Sequence, residues 1–513
     1  MNATADSARV AVVAECAADA AVLVGAERAG GSVIGVICLR DDGGEGRAAL
    51  DRALADASGR GCRVAGAPRF VDGQGEAGAA GLLKELRALR PQRIRIPDPD
   101  PVHADWDTDL GRPVYDEPAD RAAAALLALR AAREFQLESS APVLVDCRRH
   151  EAATAHGAAA SCPRYPAVTG WLAEGFDGRS TAFLPSAAGV LRWTQLRQHG
   201  TAWDGPELLP GPRLMPGLRV VRDFSGLAHL LALRRTARKD GGEDVEIVHA
   251  AQYRTGHPLT PWHSLGSPNA GDAYKSRETG FPAAGFDAAG GFVVFARNFG
   301  HSVSFREQRP EGAWSPWRHL SGVRVADELV TVTTPKGEVE LLARTRDSAA
   351  VVRWYRPGYD AEWAEDRGVP FAPRPGSMAA GPEPGTVVFR DLRTNEPCLW
   401  QLGSPAPVPL GGDGGEGPVT GVRGVEADGW NYSLLVRPDA GGSCAVGAFA
   451  EGRPDAGVWW NTLGGAEPYG VPAAVRDRTG MITVATVTAA AELSVANRES
   501  RTGGFEFGPW HSV

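Results

Sequence analysis

The chain has 513 residues, a formal net charge of -8 and a mean hydropathy of -0.21. That length leaves room for two or three domains of about 100–200 residues each. The acidic balance argues against nucleic acid, which needs a clustered basic face, and no apolar run reaches the ~18 residues that a membrane helix requires.

Residues 1–10 carry no basic stretch followed by a long apolar one, so no signal peptide is expected and the cytoplasm is predicted. Seven cysteines, at 16, 38, 62, 147, 162, 398 and 444, are scattered without a CxxC pair. Reduced, mostly buried thiols are therefore expected, with no disulfide frame and no zinc knuckle.

The first 150 residues alternate short apolar runs with helical stretches. Strands are predicted at 10–14 (VAVVA), 32–39 (SVIGVICL), from 62–64, at 93–96 (RIRI) and at 141–146 (APVLVD). Helices are predicted from 15 to 29, at 47–57, 81–89 and 119–135. This alternation implies a mostly parallel sheet covered on both faces, with any ligand at the carboxyl ends of the strands. The loops at 15–19, 41–47, 97–106 and 113–120 are therefore the ones that matter.

Three stretches carry a resemblance: the loop DDGGEGR at 41–47, LRPQRIRIPDPDPVH at 89–103, and PVYDEPADRAAAALLALRAAREF at 113–135. With the order of elements, they resemble the PIG-L/LmbE-like zinc N-deacetylases that act on N-acylated amino sugars. The resemblance implies an α/β Rossmann-like domain over residues 1–164. It also implies where the metal chemistry would sit. The family's A-H-P-D-D after the first strand is Ala14-Glu15-Cys16-Ala17-Ala18 here, so two ligand positions are Glu15 and Ala18 and the base position is Ala17. The distal H-P-D-H is Glu117-Pro118-Ala119-Asp120, which puts Asp120 at the third ligand and Glu117 at the transition-state position.

Alanine neither ligates a metal nor accepts a proton from metal-bound water. No zinc or other cofactor is expected. If the cleft is active, Glu15, Asp120 and Glu117 are the candidate catalytic residues, with Arg47, Asp19, His103 and Asp116 as candidate ligand-binding residues. A displaced site built from Glu15, Asp19, Glu117 and Asp120 would favour hard cations.

After residue 165 the texture changes. Seven units of roughly 45–60 residues recur, ending in W-x-x-L-G or a relic of it: residues 203–210, 262–266, 317–322, 363–368, 408–412, 460–465 and 510–513. Each unit has an apolar strand before its ending, and the period suits a four-stranded blade. An all-β seven-bladed propeller is predicted over residues 165–513, its indoles serving first as blade-to-blade packing. The first and last blades must seal, so Trp510 is expected between them. The Ala/Gly-rich stretch 151–164 is expected to divide the two modules, leaving 166–513 able to fold alone.

The repeat resembles the W-x-x-L-G-G propellers of bacterial lectins, which implies sugar pockets between blades. Aromatic platforms suit pyranose rings, and Trp314, Trp459 and Tyr469 are the candidates. A small-molecule or carbohydrate ligand is the expected partner.

Three readings follow. One is a non-catalytic or zinc-independent sugar-binding protein. Another is an enzyme of specialised or glycoconjugate metabolism using carboxylates of the old cleft or a pocket between the modules. The third is a partner subunit of an intact deacetylase.

Overall fold

The structure is a computed structural model that describes residues 7–513 apart from 28–30, 73–74, 140, 152–159, 199, 240–241, 273, 310, 321, 359–360, 413–414 and 466. The first elements are β1 (Arg9–Ala14), α1 (Ala17–Gly25), β2 (Val33–Cys38), α2 (Gly44–Gly59), β3 (Arg63–Val64), β4 (Arg69–Phe70) and α3 (Gly75–Leu89). They continue with β5 (Arg93–Pro97), β6 (His103–Asp107), β7 (Arg112–Tyr115), α4 (Ala119–Ser139), β8 (Leu144–Glu151) and β9 (Ala160–Pro163).

The main sheet runs β3-β2-β1-β5-β8-β9, parallel throughout except for the antiparallel β8–β9 edge. The apolar run in β1 is buried on both faces. Val10, Val12 and Ala14 join a core with α1 and α2, while Ala11 and Val13 join one with α3 and α4.

Three details depart from the sequence reading. Helix α3 starts at Gly75 rather than 81, because the glycine- and alanine-rich first turn (GEAGAA) has too little apolar periodicity to declare itself. The β6–β7 hairpin is made of mostly exposed, polar residues. Strand β9 takes up the end of the expected linker. Of that linker, 152–159 lie outside the described residues, but 160–163 pair with β8, and Arg164 is only 2% exposed.

The propeller consists of seven four-stranded antiparallel sheets, which we number as blades one to seven: residues 172–210, 219–266, 283–319, 325–366, 379–409, 420–463 and 473–512. Every predicted unit ending forms the outermost strand of its blade, including the degenerate one at Val408–Pro409.

The repeat has a mechanical logic. The indole N–H of Trp317 donates to Leu265 O at 3.0 Å, that of Trp460 to Leu410 O at 2.9 Å, and that of Trp510 to Leu463 O at 3.4 Å. In each case the tryptophan of one unit clasps the leucine carbonyl of the unit before it. At the junction of blades five and six, a glycine two residues after the leucine must stay small. A Cβ on Gly412, whose φ is +87°, would lie 3.1 Å from Trp460 Nε1.

Each blade uses four consecutive strands, so no strand is exchanged at closure. The first and last blades meet through one apolar cluster that includes Trp171, Trp193, Val475 and Val495, and Trp171 Nε1 donates to Val471 O at 2.9 Å. Trp510 is not in that seam. It packs half-buried on the core shared by blades six and seven, because its clasp reaches backward to Leu463.

The two folds are not loosely tethered. The core of β1, α3 and α4 continues without a break into Tyr165, Met215, Leu231 and Phe281 of the propeller segment. Over it lies a buried ionic network. Asp327, at the start of blade four, accepts from Arg149 (2.7 Å), Arg164 (2.9 Å) and Arg297 (2.5 Å), and Arg149 and Arg164 also hold Asp98 after β5. The α/β unit therefore covers the face on which the innermost strands begin.

Candidate functional site

Of the loops singled out, those after β1 and β2 and the one before α4 converge, joined by the end of β8. Glu15 follows β1 directly and is held by Arg40 from the loop after β2, Nε to Oε1 at 2.6 Å. That guanidinium keeps the Glu15 carboxyl below its ordinary range. Helix α1 starts at Ala17, and its first amides need an acceptor. Asp42 supplies it, accepting from the N–H of Ala17 at 3.2 Å and of Ala18 at 3.1 Å. One ligand atom each from Glu15, Cys16 and Asp19 lies within 4.8 Å of the others. Burial pushes the Cys16 thiol up to about 12.

Asp19 continues the cluster inward. Arg121 binds it at 2.6 Å and lies 3.8 Å from Glu117, one turn earlier on the chain. His150, near the end of β8, places Nε2 3.9 Å from Asp19 and Nδ1 3.9 Å from Glu117. Among the described residues neither ring nitrogen of His150 has a hydrogen-bond partner, nor does Oε2 of Glu117, while Glu117 Oε1 accepts the His150 amide at 2.7 Å. Burial raises the Glu117 carboxyl to about 7 and, aided by Arg121, holds the His150 imidazole below its usual value. A carboxylic acid that is half protonated near neutrality beside a neutral imidazole can exchange protons with a guest.

The remaining predicted residues lie elsewhere. Asp120 and Asp116 are exposed, and among the described residues Asp120 has no ion pair or side-chain hydrogen bond. Arg47 is spent on Asp41 and stacks over Phe70 at 4.7 Å. His103 is buried at the junction with the propeller, with Nδ1 2.7 Å from Glu278 and its ring stacked on Phe299. Arg40, Asp42, Arg121 and His150 were not foreseen. Only Arg121 left a signal, since it stands in the first turn of the predicted helix four residues after Glu117.

On the propeller, Trp459 is 52% exposed. It opens the outer strand of blade six, and its ring lies 6.2 Å from that of Phe505 of blade seven, tilted by 31°. Tyr432 meets Phe505 edge-on at 5.3 Å, and both pack on the core between the two blades. The result is an aromatic shelf across a blade junction. Trp314 is half-buried beside Phe292. Tyr469 lies under Arg93 of the α/β unit at 4.4 Å and serves the junction between the two folds.

No family model matches the chain, and no curated protein matches it. Among solved structures it is similar to the BP39L lectin from Burkholderia pseudomallei, at 14% identity and a TM-score of 0.48 over 67% of this chain and 99% of that one. It is also similar to the SapL1 lectin in complex with alpha methyl fucoside, at 18% identity and a TM-score of 0.34 over 58% and 94%. A third likeness is to the Hadza microbial sialidase Hz136, at 13% identity and a TM-score of 0.38 over 54% and 64%.

Proposed function

We propose that this chain is a carbohydrate-binding protein whose propeller contacts the sugar and whose α/β unit is a deacetylase-like domain without zinc chemistry. The shelf formed by Trp459, Phe505 and Tyr432 carries the first half of this reading. An exposed indole backed by two further rings offers a flat apolar surface to the C–H face of a pyranose. Trp317, Trp460 and Trp510 of the repeat endings are committed to clasps between blades, whereas Trp459 projects outward.

The second half rests on the donor set of the cleft. Catalytic zinc takes three ligands, usually with imidazole among them, and keeps one open position. Here Glu15 and Asp19 each carry a guanidinium, and the amides of Ala17 and Ala18 bind Asp42. These residues do not fit the metal, because two fixed cations already balance the two carboxylates. Purified protein is expected to contain no stoichiometric zinc, and about one zinc per chain by elemental analysis refutes this part of the reading.

The binding half is tested on a glycan array followed by calorimetry. Trp459→Ala is expected to weaken the best glycan at least ~10-fold, equivalent to about 1.4 kcal/mol. Unchanged affinity, or no glycan bound by the wild type, refutes it.

A further inference from the structure

The propeller axis holds a second feature, independent of the aromatic shelf. The innermost strands of blades one, two, six and seven line an open pocket of about 420 Å³. Its walls include Glu174, Arg222, Arg423 and Arg476. Glu174, Arg222 and Arg476 are the last residues of their strands, so the cavity opens on the face away from the α/β unit.

Three arginines from three blades thus line one open pocket with one glutamate. Among the described residues none of the three forms an ion pair. Arg222 donates only to Gly170 O, at 3.4 Å, and Arg476 lies over Gly424, 3.8 Å from where a Cβ would stand. Glu174 is partly engaged already, since its Oε1 accepts the Arg478 amide at 2.9 Å.

Elsewhere several buried arginines are matched with carboxylates, Arg93 with Glu27 and Arg164 with Asp98, while Arg390 and Arg498 donate to backbone carbonyls; Arg222 is half-buried with one long bond, and Arg423 and Arg476 are exposed. Burial draws the Arg222 guanidinium down to about 10, and Glu174 only partly opposes this. The charge in the cavity is therefore under-compensated. Like charges gathered in a concave site repel one another unless an anion joins them, and guanidinium forks match carboxylate and phosphate oxygens.

We propose that the open end of the propeller channel binds a small ligand bearing a carboxylate or phosphate group, gripped by Arg222, Arg423 and Arg476. The volume suits a guest the size of one or two sugar rings. An acidic sugar and a phosphorylated small molecule share this chemistry, and the experiment separates them.

Full-length protein is titrated calorimetrically with glucuronate, inorganic phosphate and, as the neutral control, glucose. At least one anion is expected to bind with a Kd of about 1 mM or tighter and to weaken as salt is added. Binding by glucuronate alone identifies an acidic sugar, and binding by phosphate alone identifies a phosphate ligand. Arg222→Gln and Arg476→Gln should each weaken that anion at least ~10-fold. Arg453→Gln, which alters an exposed arginine paired with Asp455, should leave it unchanged.

Removing a cation from a like-charged group should not lower the melting temperature. If Arg222→Gln melts early, Arg423→Gln, at an exposed position, takes its place in the comparison. Trp459→Ala should retain anion binding, so failure of the sugar-shelf reading leaves this proposal standing. Absence of binding by either anion up to about 10 mM, equal binding of glucose, or unaltered affinity in the channel variants overturns it.

Discussion

Replacing Asp327 by alanine is expected to lower the unfolding free energy by about 3–5 kcal/mol, the range for breaking a buried ion pair from one side. The carboxylate is 9% exposed and is the common acceptor for Arg149, Arg164 and Arg297, two of which are 1% exposed. Without it, two fully buried guanidiniums and a third nearby face one another with a charge missing. Urea denaturation followed by circular dichroism checks this, and a loss below about 1 kcal/mol would show that water reaches the network.

The same carboxylate sets a pH dependence. Burial alone would raise its pKa, but Arg297, Arg164 and Arg149 together hold it well below the usual range. A depressed folded pKa gives stability that is fully present above the unfolded value of about 3.9 and is lost as pH falls towards the folded value. The wild type should therefore lose stability below about pH 4, and the alanine variant should lose less over the same interval.

Deleting residues 505–513 is expected to have a comparable or larger effect, about 5 kcal/mol, counting three half-buried aromatic side chains at roughly half the 3–5 kcal/mol of a full core deletion each. Phe505, Phe507 and Trp510 all pack on the core shared by blades six and seven. The deletion also removes the strand His511–Ser512, which pairs with Ser494 and Val495, and the Val513 amide bond to Leu493. Residues 505–513 complete a blade and supply a clasp, so the melting temperature of the whole chain should drop by many degrees. A truncated protein that melts like the wild type would show that blade seven is closed by other contacts.

The seven-bladed ring was legible because its signal is repeated. A single W-x-x-L-G could be chance, but the tryptophan and the leucine carbonyl are two halves of one clasp that recurs at three blade junctions. Even the unit at 408–412, which has lost its tryptophan, keeps the leucine whose carbonyl receives Trp460. The α/β unit was legible for a related reason, since strands buried on both faces are continuous apolar runs. Elements with neither repetition nor burial were missed, namely the β6–β7 hairpin and the edge strand β9.

The cleft was legible only as a location. Loop positions after β1 and before α4 follow from topology, so Glu15, Asp19 and Glu117 could be placed together from the chain alone. Their partners could not. Arg40 and His150 lie 25 and 33 residues along the chain from Glu15 and Glu117, and nothing in the intervening sequence encodes those contacts. Asp120 shows the converse, since it is well placed by motif yet its helix turns it to solvent.

By itself, then, the sequence determined the two architectures and their order, because periodicity, turn residues and buried apolar runs are local properties of the chain. The tertiary structure alone decided that the two folds share one core and one ionic network, that His103 and Tyr469 belong to that junction, and that Arg222, Arg423 and Arg476 of blades two, six and seven line one pocket. Those facts depend on distances between segments tens to hundreds of residues apart, and such distances exist only once the chain has packed.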